Sequence, residues 1–170
     1  REVSSEAIWT LSTAKPLSGV DQILDDNMDT YWQSDGAFPH YLTILFQRKI
    51  TLSEISFYLN FTLDESYTPL QLSIWAGNTQ EDLAEVHTAD LREPVGWVNC
   101  VLQGVPDERG RATPLRARML QVCIVVMHQN GRDLHIRQVK VYSPRHVPAQ
   151  LDTSLPPCTS VEFTRFATIR

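Results

Sequence analysis

Alternation of apolar and polar residues with a period of two runs through the middle of the chain. "YLTILFQR" sets Leu42, Ile44 and Phe46 on one face, and "EISFYLNF" does the same with Ile55, Phe57, Leu59 and Phe61. "LQLSIW" alternates through Leu70, Leu72 and Ile74, and "MLQVCIVV" through Leu120, Val122, Ile124 and Val126. "GWVNCVL" and "IRQVKVY" bring the strand candidates to at least six. Successive side chains of a strand point to opposite faces, so this pattern predicts strands buried on one side. Turn signals separate them: Asp35-Gly36, Tyr67-Thr68-Pro69, Ala76-Gly77-Asn78, Glu93-Pro94 and Asn130-Gly131. Short strands without long intervening helices predict an all-β sandwich or jelly roll.

Two stretches break the alternation. "GVDQILDDNMDTYWQSDG" (19–36) has too few periodic positions for a long helix. It predicts a short helical turn, with Asp21 as a candidate N-cap, and an acidic loop running to Trp32. Beyond Ser143, "PRHVPAQLDTSLPPCTS" carries four prolines and no periodicity. Proline cannot join a central ladder, so residues 144–170 read as a proline-rich linker and tail behind a β domain of residues 1–143.

Length and composition fit this reading. A chain of 170 residues can bury one core without staples, and 42% hydrophobic with 21% charged residues is ordinary for a globular protein. No apolar run approaches the roughly 18 residues of a membrane span, and no signal peptide is visible. The net charge of −5 argues against phosphate-driven nucleic-acid binding. Arg109, Arg111, Arg116 and Arg118 do cluster, but beside Asp107 and Glu108, which reads as a solvated loop. Cys100, Cys123 and Cys158 are odd in number and unpaired in spacing, which points to a reducing, intracellular setting. The sequon Asn60-Phe61-Thr62 is then a chance match.

The segment "VVMHQNGRDLHIRQVKVY" (125–142) carries the densest polar chemistry. His128, Asp133 and His135 lie close together, but there is no nucleophile elbow to make a triad and no third ligand at metal-site spacing. Asn130-Gly131 is a strong hairpin-turn signal. His128, Gln129, Arg132, Asp133 and His135 surround it with hydrogen-bonding side chains, as in a loop displayed for binding. The acidic run Asp21, Asp25, Asp26, Asn27 and Asp29 offers calcium-type ligands without the spacing of a calcium hand, so capping and solvation compete with an ion. Trp9, Trp32, Trp75 and Trp97 are spread one per segment and read as core or rim residues rather than a stacking platform.

Taken together, "DDNMDTYWQSDG" (25–36), "DESYTP" (64–69) and "HQNGRDLHIRQVKVYSP" (128–144) resemble the Doc-domain (subunit ten) family of the anaphase-promoting complex. The resemblance runs along nearly all of residues 1–143 and reappears in the terminal Ile169-Arg170; residues 103–118 carry none of it. Leu134 departs from it, standing where a small hydroxyl residue belongs.

The resemblance implies a jelly-roll β-sandwich similar to galactose-binding domains, and a non-catalytic subunit of a ubiquitin ligase without cofactors. It implies that Ser66, His128, Gln129, Asn130, Asp133 and His135 bind the destruction box of substrates such as cyclins, together with a WD-repeat activator. It implies that Ile169 and Arg170 dock on a tetratricopeptide-repeat scaffold subunit. A role in mitosis, in nucleus and cytoplasm, follows from the same likeness. Asp64, Glu65 and Asp133 are expected to suit a basic peptide. Two alternatives remain at this point: a Doc domain of another ubiquitin ligase, and a carbohydrate-binding module.

Overall fold

The computed structural model describes residues 1–145; of the linker and tail expected over 144–170, positions 146–170, Ile169-Arg170 among them, lie outside the described residues. One antiparallel sheet is built on β3 (His40–Leu52) and β9 (Thr113–Met127), flanked by β1 (Ala7–Leu11) outside β3 and by β5 (Pro69–Gly77) and β6 (Ala84–Asp90) outside β9. The short β8 (Gln103–Gly104) pairs with the start of β9. A second sheet places β4 (Glu54–Asn60) between β7 (Val95–Val101) and β11 (Gln138–Tyr142). The two-residue strands β2 (Trp32–Gln33) and β10 (His135–Ile136) form a small separate ladder.

Alternation produces the core. Leu42, Ile44 and Phe46 of β3, Leu72 and Ile74 of β5, and Leu120, Val122 and Ile124 of β9 are buried. They join Ile55, Phe57 and Leu59 of β4 and Val139 and Val141 of β11 in one apolar cluster between the sheets. Burying such side chains contributes about 1.5–3 kcal/mol each before the chain-ordering cost. The chain changes sheet within one residue: the Ser53 N–H and hydroxyl both reach the Tyr142 carbonyl, at 2.9 and 3.1 Å, and turn the corner from β3 to β4.

The jelly-roll sandwich is as the alternation predicts; several details differ. The β5–β9 ladder shifts register between Pro69 and Leu72, so Met127 is buried while Val125 and Val126 turn outward and Leu70 is only half-buried. An irregular ladder adds a residue on one strand and reverses the faces beyond it. Phe61 leaves the β4 face to open a short helical turn over residues 61–64, because the Asn60 side chain accepts the Leu63 N–H and caps it.

The predicted turn near residue 20 is a helix, α1 (Val20–Ile23), but Gly19 precedes it, donating its N–H to Gln22 Oε1 at 2.7 Å. Asp21 lies inside the first turn and is not the N-cap. The arginine cluster divides: Arg109 and Arg111 are in a loop, whereas Arg116 and Arg118 stand on the exposed face of β9. Strands β1 and β6 escaped the reading because they are outer strands with few or no buried positions; β6 has none.

Candidate functional site

The polar insert after β9 is a tight turn. Gly131 donates its N–H to the His128 carbonyl at 3.0 Å, and the two residues between, Gln129 (φ 53°, ψ 27°) and Asn130 (φ 56°), are both left-handed. This is the backbone of a hairpin turn, but it joins no hairpin: β9 pairs with β3 and β5, and the next strand, β10, pairs with β2. The turn geometry expected of Asn130-Gly131 is present, and the hairpin is not. The left-handed pair lies one residue earlier than Asn130-Gly131 predicts. Gly131 has an ordinary φ of −58° and is needed for space instead: a Cβ there would lie 1.8 Å from the Ser66 carbonyl oxygen.

That approach brings two distant sequence segments together. The turn from Glu65 to Tyr67 packs against the His128–Gly131 turn, and the His128 N–H donates to the Thr68 carbonyl at 3.0 Å. Glu65 also has positive φ (44°), so three of the six non-glycine residues with positive φ among the described residues lie in these two touching turns. Each such residue costs of order 1–2 kcal/mol, which the surrounding packing must offset.

The six predicted residues take three kinds of place. Gln129 and Asn130 are exposed at the tip. Ser66, His128 and Asp133 are half-buried around it. His128 donates from Nε2 to the Leu91 carbonyl at 2.8 Å and packs its ring on Phe61 at 4.7 Å. Asp133 accepts from Lys15 Nζ at 3.0 Å, and this hydrogen bond raises the lysine's pKa. His135 is buried beneath, between Tyr31 (ring centroids 4.1 Å) and Tyr67 (4.3 Å, planes 13° apart). The site therefore uses His135 to carry Tyr67 rather than to meet solvent.

Under His135 lies a buried ion cluster that no spacing rule flagged. Asp64 accepts from His135 Nδ1 at 3.1 Å and from Arg137 Nε and Nη2, both at 2.8 Å; Arg137 Nη1 continues to the Met28 carbonyl. Burial alone pushes the Asp64 carboxyl up, but the hydrogen bonds and charges of His135 and Arg137 together hold it below its ordinary value. The same contact raises Arg137. Asp64 is thus neutralised inside the protein and Asp133 is paired with Lys15, so of the three carboxylates expected to face a basic peptide only Glu65 is exposed.

An open depression of about 460 Å³ beside the tip is lined by Gly36, Ala37, Ser66, Tyr67, Arg132 and Asp133. Arg132 is among the hydrogen-bonding side chains that the sequence places around the turn; Tyr67 is not, although it adjoins Ser66. Leu134, the departure within the motif, is buried; its N–H donates to the Ser34 hydroxyl and its carbonyl accepts the Ser34 N–H. Its side chain faces the core, so no surface contact passes through it.

The acidic loop closes on itself. Asp25 accepts the Asn27 N–H, the Thr30 hydroxyl and Gln138 Nε2 at 2.7–2.8 Å, and Asp26 pairs with Lys140. Among the described residues, no three His, Cys, Asp or Glu side chains converge as a metal site.

Comparison with known proteins gives a consistent result. The sequence profile of the family "Anaphase-promoting complex, subunit 10" matches residues 1–168. The chain is 42% identical over 170 residues to anaphase-promoting complex subunit 10 of Homo sapiens, spanning all of this chain and 88% of that protein. It is 43% identical to the Drosophila melanogaster subunit, covering 85% of it, and 34% identical over 148 residues to subunit DOC1 of Saccharomyces cerevisiae. Among solved structures, a family 32 carbohydrate-binding module of Clostridium perfringens NanJ, in complex with galactose, superposes with a TM-score of 0.66 over 82% of this chain and 96% of that one. At 17% identity, this likeness shows a shared jelly-roll fold.

Proposed function

The chain belongs to the subunit 10 family of the anaphase-promoting complex, and from that premise we propose that it is a non-catalytic destruction-box co-receptor acting with a WD-repeat activator. Ser66, His128, Gln129, Asn130 and Asp133 form the receiving surface, and His135 positions it from beneath. The observation that carries this reading is the pair of exposed left-handed amide residues, Gln129 and Asn130, on a turn locked against Ser66. Amide side chains donate and accept at once, so they pair with the backbone of an extended peptide without demanding one side chain. A turn already held in place gives up little conformational entropy when the peptide arrives.

Modest affinity suffices if the activator grips the same substrate. A second weak contact on a tethered substrate raises avidity by roughly 10²–10⁴ and slows escape, so more ubiquitins transfer per encounter. Ile169 and Arg170 supply an apolar plug, a guanidinium and a terminal carboxylate for a groove of a tetratricopeptide-repeat subunit. The assembled ligase then acts on mitotic substrates such as cyclins in nucleus and cytoplasm.

The test is multiple-turnover ubiquitylation of a destruction-box substrate by the reconstituted ligase, with wild-type chain or Asn130→Ala. Shorter ubiquitin chains per encounter and weaker destruction-box peptide binding are expected from the variant. Equal chain lengths and equal peptide affinity would remove the co-receptor reading. Removal of Ile169-Arg170 is read separately, as loss of co-purification with the scaffold.

A further inference from the structure

At the far end of β9 from the candidate site the surface changes character. Between Leu45 and Ile50 the β3–β9 ladder slips, and the intervening residues carry Arg48 and Lys49, both exposed. Beyond the slip, Thr51 faces Arg116 across the ladder. The alternate positions Leu52, Leu115 and Ala117 are buried, so Arg116 stands on the outer face. Arg1 and Arg145 arrive from the two ends of the described chain, where the Ser143 N–H donates to the Arg1 carbonyl at 2.8 Å. Five cations from four segments thus rim one depression of about 460 Å³. Among the described residues its one carboxylate, Glu6, is taken by Arg1. Among the described residues, Arg48, Lys49, Arg116 and Arg145 have no ion-pair partner.

Lone surface cations are ordinary; convergent ones repel, and in a chain of net charge −5 they concentrate what positive field there is. We infer that this depression is a docking surface for an acidic polypeptide segment of another subunit of the ligase. Three observations favour a peptide. The chain belongs to a family of complex subunits, so its standing partners are proteins. The depression is lined with Ile50, Pro114 and Pro144 among the cations, which suits the carbon stems of Glu and Asp side chains. The net negative charge of the whole chain opposes a polyanion of nucleic-acid length. Arg116 and Met127 are eleven positions apart on β9, roughly 35 Å at about 3.3 Å per residue. A partner held here leaves the His128–Gly131 turn exposed. The inference rests on family membership and not on the destruction-box reading.

The test uses the full chain and Arg48→Glu/Arg116→Glu, each added to ligase assembled without this subunit, across a salt series. Retention of wild-type chain is expected to fall with salt. The double variant should bind about tenfold more weakly at low salt, with a flatter salt dependence. Arg48→Lys/Arg116→Lys should restore binding, and matching melting temperatures show that all three chains fold. A fluorescent glutamate-rich peptide should bind wild type and not the reversal variant. Retention indifferent to both charge reversal and salt would overturn the inference. So would binding confined to an RNA duplex or to phosphatidylserine vesicles offered in place of the peptide. Ubiquitin chain length on Asn130→Ala does not depend on this outcome, so the two readings fail separately.

Discussion

Gly131 and the Ser66 carbonyl are in such close approach that a Cβ on Gly131 would lie 1.8 Å from the oxygen. The contact joins "DESYTP" to "HQNGRD" across more than sixty residues of chain and makes one surface of two turns. Because the opposing atom is backbone, it cannot swing aside. Gly131→Ala should therefore separate the turns, lowering stability by about 1–3 kcal/mol in urea denaturation. If the two turns form the proposed receiving surface, destruction-box peptide affinity should fall with it. A variant as stable as wild type would show that the turns are not locked.

Asp64 makes a pH-dependent contribution. Its carboxyl is held below the ordinary value of 3.8 by His135 and Arg137 against the upward push of burial. A depressed folded pKa means that the stabilisation is fully present above the unfolded value and is lost as pH falls through the lower folded one. Stability of the wild type should therefore decline on acidification below about pH 4 more steeply than that of Asp64→Asn. At neutral pH the same variant leaves Arg137 buried without its carboxylate, and it should be destabilised by about 3–5 kcal/mol. Urea midpoints measured from pH 3 to pH 7 check both statements.

The sandwich was legible because Leu42, Ile44, Phe46, Val122 and Ile124 alternate without interruption where the ladders are regular. Val126 and Phe61 failed where a ladder slip and an Asn60 cap override the period, and neither leaves a mark in hydrophobicity. Of the candidate site, the exposed tip, Gln129 and Asn130, was legible, because polar residues there interrupt an apolar run. Its support was not. Asp64, Arg137 and the pair Tyr31 and Ser34 come from three separate segments, and the charged pair looks in sequence like any surface Asp and Arg. Only the fold brings a buried cation to a buried anion.

Gln129 separates backbone from side chain. Its left-handed φ of 53° suits glycine, while its exposed side chain makes no described hydrogen bond within the protein. Gln129→Gly relieves about 1 kcal/mol of conformational strain and loses a similar amount to the freer unfolded chain. Melting temperature should stay within a few degrees of wild type. Destruction-box peptide binding should weaken if the amide meets the peptide, and isothermal titration distinguishes that from an unchanged Kd.

Ser34 tests whether the turn needs its base fixed. Its hydroxyl accepts the Leu134 N–H at 2.8 Å, its own N–H donates to the Leu134 carbonyl at 3.1 Å, and it is fully buried. Beside it, His40 Nε2 donates to the Arg132 carbonyl at 2.9 Å, so two buried side chains grip the descending arm of the turn. Ser34→Ala keeps the backbone bond and leaves the Leu134 amide buried without an acceptor. An unsatisfied buried donor costs about 1–3 kcal/mol. The loss should be local, because the ladders of both sheets are untouched. Amide exchange at Leu134 should accelerate by roughly tenfold or more, in keeping with about 1.4 kcal/mol per decade, while exchange at Val122 and Ile124 in the core of β9 slows or speeds only with global stability. Uniform acceleration across β9 would mean that Ser34 supports the whole sandwich rather than the displayed turn.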